Sequence, residues 1–232
     1  AGGDGTINAT SGCLINTNTA LGVIPTGSGN GFARNLGIPL KLRDSLEVIK
    51  NPNFKTIDTG KIDEHIFLVS CGLGWEAVIA TLFEGSKIRG VVPYATLAVT
   101  TFLQYQPQEM IVTSEPGGWT YKGHPMLFSV ANMREYGVNV TIAPKADYQD
   151  GFLDICILPQ HTLKDTLKYT PDMFRKRTDY IPGYIHRKAT KIIVSRPIAG
   201  NIHLDGTPTP AGHELILEVV PKSLTVATSW SS

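Results

Sequence analysis

Two short glycine-rich stretches carry the residues whose types and spacing suit chemistry. The first is Gly2-Gly3-Asp4-Gly5-Thr6-Ile7-Asn8 and the second is Pro25-Thr26-Gly27-Ser28-Gly29-Asn30-Gly31-Phe32-Ala33-Arg34. Each places small residues and backbone N–H groups where a bulky side chain would block close approach, as a polyphosphate requires. Asp4 sits inside the first loop, where a carboxylate would repel phosphate unless a metal ion lies between them. The pair therefore reads as a nucleotide–magnesium site with Asp4 at the metal or the reacting oxygen. Ser28 is a donor for phosphate and Asn30 a residue that holds the loop's shape. Arg34 reads as a phosphate contact or a solvated helix residue.

Further along, Glu76 in Cys71-Gly72-Leu73-Gly74-Trp75-Glu76-Ala77 is placed to bind a substrate hydroxyl or to favour a helix N-terminus. Lys87 and Arg89, in a glycine-flanked turn, are cations for a developing negative charge or simply an exposed turn. Asp205 and Thr207 in His203-Leu204-Asp205-Gly206-Thr207 face a cleft or build a hairpin turn. Asn132, Arg134, Tyr136 and Gly137 open a polar, turn-rich region, in which Asp150-Gly151 is expected to make a hairpin.

These residues need elements to hold them. A chain of 232 residues, 42% hydrophobic and 18% charged, buries a core as one large domain or two modest ones. A net charge of +1 argues against nucleic acid as the main partner. Cys13, Cys71 and Cys156 are few and scattered, which fits thiols in a reducing, cytoplasmic compartment. No apolar run is long enough to span a bilayer.

A helix is expected from Thr6 to Ser11, a short buried strand over Leu21–Pro25, and helices over Gly31–Asn35 and Leu40–Lys50. This is an α/β segment, with its boundary near residues 51–55. Strands dominate residues 55–228: Lys55–Ile62, Ile66–Gly72, Met110–Ser114, Met126–Asn132, Leu153–Leu158, Lys191–Ser195, Ile202–Leu204, Leu215–Val220 and Ser223–Thr228. One helix is expected between Ala77 and Gln104, broken near Gly90 and Pro93, and another from His161 to Thr170 ahead of Pro171. Residues 172–188 read as an exposed basic, aromatic loop. The fold class is thus an incomplete α/β nucleotide-binding segment followed by a mainly β, sandwich-like domain, with the last strand returning to the first domain. Glycine loops of this type normally leave a buried strand. None precedes Gly2, so the chain is expected to be a fragment.

Together GGDGTIN (2–8), IPTGSGNGFARNLGIP (24–39), CGLGWEA (71–77), KIRG (87–90), NMREYGVNVTIAPKADYQDGFLDICIL (132–158) and HLDGT (203–207) resemble the diacylglycerol kinase / sphingosine kinase superfamily, specifically its bacterial diacylglycerol-kinase-like lipid kinases. The segments run in the family's order over nearly the whole chain. The resemblance implies a nucleotide domain like those of phosphofructokinases and NAD kinases, a β-sandwich-like second domain, and a site in the cleft between them. It implies transfer of the ATP γ-phosphoryl group, with Mg²⁺, to a lipid hydroxyl during transient membrane-surface contact. By position, Gly2, Gly3, Gly5, Thr6, Asn8, Gly27, Ser28, Gly29, Asn30 and Arg89 bind nucleotide, Asp4 is the essential acid and metal ligand, Glu76 binds substrate, and Asp205 and Thr207 belong to the catalytic group. The chain departs from the family at Ala9 and Thr207, where Glu is usual, at Gly31, where many bacterial members carry an acid, and at Glu76, where many carry Asp. Threonine cannot accept a proton from a lipid hydroxyl at neutral pH. The base is then Asp4, Asp205 or Glu214, or the protein is a catalytically impaired nucleotide- or lipid-binding homologue. A soluble NAD or sugar kinase of related fold is the third alternative.

Overall fold

The computed structural model describes residues 1–85, 91–137 and 139–230, with no side-chain description for 91–95. The α/β segment opens with helix α1 (Asp4–Ser11), followed by α2 (Gly31–Asn35) and α3 (Leu42–Lys50). Beyond it come β1 (Asn53–Ile62), β2 (His65–Phe67), β3 (Ser70–Gly74), α4 (Trp75–Glu84), α5 (Val91–Gln104), β4 (Met110–Glu115), β5 (Trp119–Gly123), β6 (Pro125–Ala131), β7 (Glu135–Gly137), β8 (Val140–Thr141) and β9 (Leu153–Pro159). Helix α6 (Leu163–Phe174), β10 (Ile185–Ala189), β11 (Lys191–Ser195), β12 (Gly200–Leu204), β13 (Thr207–Ala211) and β14 (Glu214–Thr228) complete it.

Among the described residues β7 pairs with β8 in a separate two-stranded ribbon, and two six-stranded antiparallel sheets form, in the orders β2-β1-β14-β11-β4-β5 and β10-β9-β6-β3-β12-β13. Their inner faces bury Leu73, Val112, Phe128, Ile155, Ile192 and Leu217 in a shared core, the packing of a β sandwich. A second core joins the α/β segment to one end of this sandwich: Ile7, Leu21, Val23, Phe32 and Leu36 pack with Ile57, Leu68, Leu224 and Val226. Strand β14 thus serves both cores, its first half in the sandwich and its second half under the α/β segment. The α/β segment followed by a mainly β, sandwich-like region is the fold class the sequence indicates.

Several elements differ from the sequence reading. Leu21–Pro25 makes no regular strand. It forms only isolated parallel bridges, Gly2 to Pro25 and Leu21 to Val226, made through the flanking Ile24 carbonyl and Thr26 amide at one end and the Thr225 carbonyl and Ala227 amide at the other. The two expected C-terminal strands are one, β14, carried through Pro221-Lys222 with Lys222 at φ 48°. The broken helix expected between Ala77 and Gln104 is two helices, α4 and α5; Pro93 lies near the start of α5 and does not end it, and Gly90 lies outside the described residues. Helix α6 runs through Pro171 to Phe174, and residues 172–188 hold its last turn, a 3₁₀ turn at Thr178–Tyr180 and β10 rather than a loop. The Asp150-Gly151 turn leads into β9, whose partners are β6 and β10, so it closes no hairpin. Of the missed strands, β7 and β8 pair only with each other, and β5, β10 and β13 are sheet edges. Edge strands carry weak alternation and tolerate proline, as Pro208 and Pro210 in β13 show.

Candidate active site

The two glycine loops meet backbone to backbone. Gly2 donates to the Ile24 carbonyl at 3.1 Å, and Thr26 donates to the Gly2 carbonyl at 3.0 Å. A Cβ placed on Gly27 would lie 2.6 Å from the Gly3 Cα, and one on Gly3 would lie 3.1 Å from the Gly27 Cα. Neither position admits a side chain without separating the loops. Gly3 caps α1 without a side-chain cap, which leaves the first N–H groups of α1 free for an anion. Gly5, Thr6 and Ser28 are exposed around that opening.

Asp4 is held between two helix N-termini. It lies in the first turn of α1, and its Oδ2 and Oδ1 accept the amides of Gly31 and Phe32 at 3.0 Å each, at the start of α2. Both settings favour an anion. Each carboxylate oxygen retains a lone pair, and the residue stays partly open to solvent. The second loop is shaped from within. The Asn30 side chain accepts from the Gly27 amide (2.9 Å) and donates to the Gly27 carbonyl (2.7 Å), with Asn30 itself at φ 51°. Arg34 Nε donates to the Gly29 carbonyl at 3.0 Å, so it braces the loop.

The sandwich reaches this site through two segments. Asp205 (φ 51°) and Gly206 (φ 86°) form the tight turn between β12 and β13, the type I′ pattern that Asp-Gly favours. The hydroxyl of Thr207 lies 3.5 Å from where a Gly5 Cβ would stand. The Asp205 carboxylate is saturated. It accepts the amides of Leu68 (2.8 Å), Val69 (2.8 Å) and Ser70 (3.0 Å) and the Asn8 side-chain amide (2.7 Å). Burial raises its pKa, and these hydrogen bonds oppose the rise. Asn8, expected at the nucleotide, instead spends its amide on Asp205 and on the Ile66 carbonyl at 2.9 Å, which ties α1 to the β2–β3 connection. Glu214 sits past the far end of β13 from Thr207 and exposed, away from the loops.

The other segment is β7. A Cβ on Gly31 would lie 2.2 Å from the Tyr136 carbonyl oxygen, so α2 rests on the β7 backbone. Asn35 locks this seam: it donates to the Glu135 carbonyl (2.7 Å) and accepts from the amides of Arg134 (3.0 Å) and Glu135 (3.1 Å). Glu76, in the first turn of α4, is buried. Its Oε2 accepts from the Tyr136 hydroxyl and lies 3.3 Å from His203 Nε2. His203 Nδ1 accepts the Gly206 amide at 3.3 Å, which leaves Nε2 to donate to Glu76. A Cβ on Gly72 would lie 2.1 Å from His203 Nε2, so the pair fits only over glycine. Glu76 Oε1 is buried with no partner among the described residues, and burial raises the Glu76 pKa against the hydrogen bonds from His203 and Tyr136. Beside α4, a shallow hollow of about 260 Å³ is lined by Ala77, Val78, Thr81, Leu82 and Asn201. Lys87 and Arg89 lie outside the described residues.

The structure therefore brings Gly2, Gly3, Asp4, Gly5, Thr6, Gly27–Asn30 and Thr207 together, with Asp205 beneath them and Glu76 one step away through His203. Asn35, Tyr136 and His203 were missed as connectors. His203 and Tyr136 stand inside quoted motifs but carry no spacing signal, and Asn35 reads as an ordinary helix-end residue.

The site is thus an α/β segment of converging glycine loops, closed by turns from a β sandwich. A diacylglycerol kinase catalytic domain model matches residues 1–62, and a YegS C-terminal NAD kinase beta sandwich-like domain model matches residues 69–228. The chain belongs to the diacylglycerol-kinase-like lipid kinase family defined by these two domains. It is 26% identical over 230 residues to a protein named probable lipid kinase YegS from Escherichia coli O1:K1 / APEC, covering 96% of this chain and 75% of that protein. It is 29% identical over 212 residues to a diacylglycerol kinase of Bacillus subtilis (strain 168), covering 89% and 69%. A crystal structure titled as a diacylglycerol kinase from Bacillus anthracis str. Sterne superposes with a TM-score of 0.74 at 20% identity, over 98% of this chain and 73% of that one, and shares the fold.

Proposed function

We propose that this protein transfers the γ-phosphoryl group of ATP to the primary hydroxyl of a diacylglycerol- or sphingoid-like lipid, at the cytoplasmic face of a membrane. The observation that carries the reading is that the second loop anchors Asp4 of the first through the Gly31 and Phe32 amides, while the β12–β13 turn sets Thr207 against the neighbouring Gly5. Phosphoryl transfer is mostly positioning and charge neutralisation, so a rigid glycine cradle beside one anchored carboxylate supplies its main demands. The phosphates of ATP would meet the free N–H groups at the start of α1, with Gly3 and Gly27 letting the second loop close against the first.

Mg²⁺ fits as a nucleotide-borne ion, which needs only one or two carboxylates beside the phosphates, and Asp4 is the residue to hold it. Among the described residues no group of three or more acidic, His or Cys side chains forms a protein cage for a metal. Bound there, the ion would neutralise charge on the phosphates. In this reading Asp4 also receives the proton of the acceptor hydroxyl through a lone pair left free by Gly31 and Phe32. Asp205 has no such capacity and acts as a positioning residue, as does Asn8. Glu76 stands at the acceptor side with one oxygen unpartnered among the described residues, and the hollow along α4 takes part of the lipid. The nucleotide-binding part is assigned to residues 1–54 and the acceptor part to residues 55–228, with β14 returning to the first.

Incubation with γ-labelled ATP and detergent-dispersed lipid alcohols tests this: labelled lipid phosphate is the expected product, and ATP binding without transfer to any alcohol would sink it. Thr207 at the place of the family's usual Glu favours one second reading, an impaired homologue that binds nucleotide and lipid. Under that reading activity appears only when Thr207→Glu restores a carboxylate.

A further inference from the structure

The hydroxyl of Thr207 stands at the opening of the site and is used by nothing in the fold. Thr207 is exposed. Its carbonyl accepts from the Thr209 hydroxyl at 3.5 Å, but its own hydroxyl meets no partner among the described residues. The backbone that carries this hydroxyl is fixed from three sides. Leu204 pairs with Thr207 across the β12–β13 ladder. Asp205 and Gly206 close the turn between them at φ 51° and 86°. Pro208 behind it confines Thr207 to extended backbone.

The turn is moored to α1. Asn8 donates to Asp205 at 2.7 Å, and Asn8 stands one helical turn beyond Asp4 on the same face of α1. That bond sets Thr207 over the first turn of the helix, with its hydroxyl 3.5 Å from where a Gly5 Cβ would stand. A phosphate held by the free N–H groups at the start of α1 therefore has the Asp4 carboxylate and a hydroxyl from the sandwich as neighbours. Two other hydroxyls are exposed at the opening, those of Thr6 and Ser28. Both belong to the loops that would hold the donor, and the Thr6 hydroxyl is turned back, 2.9 Å from where a Gly2 Cβ would stand. In-line displacement brings the acceptor in from the side opposite the leaving group, and Thr207 comes from the sandwich.

We infer that Thr207 is an internal phosphoryl acceptor: with ATP bound and no alcohol in place, the protein phosphorylates its own Thr207. The Thr207 oxygen bonds to the γ-phosphorus. The bond from that phosphorus to the β–γ bridging oxygen breaks, its electron pair leaving on ADP, and the hydroxyl proton passes to Asp4. A hydroxyl that cannot take a proton from a lipid alcohol can still give one up to a neighbouring carboxylate. Fixing the acceptor's backbone beside the donor site turns a bimolecular encounter into a step within one chain. The product phosphate is left at the start of α1, where free N–H groups favour a dianion. The inference rests on the nucleotide half of the lipid-kinase reading and requires no lipid acceptor.

The test is incubation of the wild-type protein with γ-labelled ATP and Mg²⁺, without lipid or detergent, followed by intact mass and fragment mapping of the label. One added phosphoryl group on Thr207 is expected, at a rate per chain that does not change with protein concentration. Thr207→Val, which removes only an exposed hydroxyl, should lose the label, and Thr209→Val should keep it. Asp4→Asn should slow labelling by roughly 10²-fold or more. Label on Thr6, Ser28 or another residue in place of Thr207 would overturn the inference. So would a rate per chain that rises with protein concentration, equal labelling of Asp4→Asn, which would mark a contaminating kinase, or no label at saturating ATP. A parallel incubation with detergent-dispersed lipid alcohols separates the two readings. Phosphorylated Thr207 without lipid phosphate sinks the lipid acceptor and leaves this inference standing, whereas lipid phosphate without phosphorylated Thr207 sinks this inference alone.

Discussion

Asp4 and Asp205 both stand before a glycine in an Asp-Gly-Thr sequence, and the fold treats them in opposite ways. Asp4 accepts two amides, one on each oxygen, and keeps a lone pair on each in a residue partly open to solvent. Asp205 accepts from four donors and is withdrawn beneath its turn. Two amides orient a carboxylate and still leave it able to receive a proton; four donors consume it. The pair teaches that a motif letter does not distinguish a reacting carboxylate from a bracing one, whereas a count of its donors does.

The comparison breaks most readily at Asp205. Asp205→Ala leaves three backbone amides and the Asn8 amide without an acceptor, at about 1–3 kcal/mol for each group that stays buried. Thermal or urea unfolding should therefore show a loss of several kcal/mol or no folded protein. A stable Asp205→Ala protein that has lost only turnover would reverse the roles of the two aspartates.

Asp4→Asn should act the other way. It keeps one amide bond to α2 and costs about 1–2 kcal/mol of stability, while phosphoryl transfer falls by roughly 10²-fold or more.

Glu76 gives a pH test of the neighbouring site. Its pKa is raised by burial, so the stability it contributes is complete below the ordinary Glu value near pH 4 and is lost as pH rises through the raised value. Glu76→Gln cannot ionise. Melting curves across pH should show the variant gaining on the wild type from about pH 4 upward; parallel curves would mean that Glu76 is not held in a desolvated site.

The smallest effect is expected at Thr207. If Asp4 accepts the proton, Thr207→Glu should change turnover by less than about tenfold, because a second carboxylate beside Gly5 duplicates a function already present. A larger gain would point to the impaired-homologue reading.

Much of this comparison was legible before any coordinates. The glycine loops, the helices α1, α2 and α3 and the central strands of both sheets follow from turn chemistry and hydrophobic runs, which are local signals. The edge strands β5, β10 and β13 were not, because a strand with one exposed face and one free edge needs little hydrophobic alternation. Proline misled twice. Pro25 takes part in a bridge to Gly2 within a segment that makes only single bridges, while α6 absorbs Pro171 and continues to Phe174. The Asn8–Asp205 and Asn35–Glu135 contacts join residues 197 and 100 positions apart, and no local pattern encodes such pairings. The same distance hid the bracing role of Asp205, whose acceptor load comes from Asn8 and the Leu68–Ser70 backbone.

The central claim is that Asp4 is the reacting carboxylate of a lipid kinase. Its most direct test is the rate of phosphoryl transfer from γ-labelled ATP to dispersed diacylglycerol and sphingoid alcohols, measured side by side for the wild type and a folded Asp4→Asn variant. Lipid phosphate formed by the wild type, and at least about a hundredfold less by the variant, is the predicted result. Equal rates in the two proteins, or ATP bound by the wild type with no lipid phosphorylated, would contradict it.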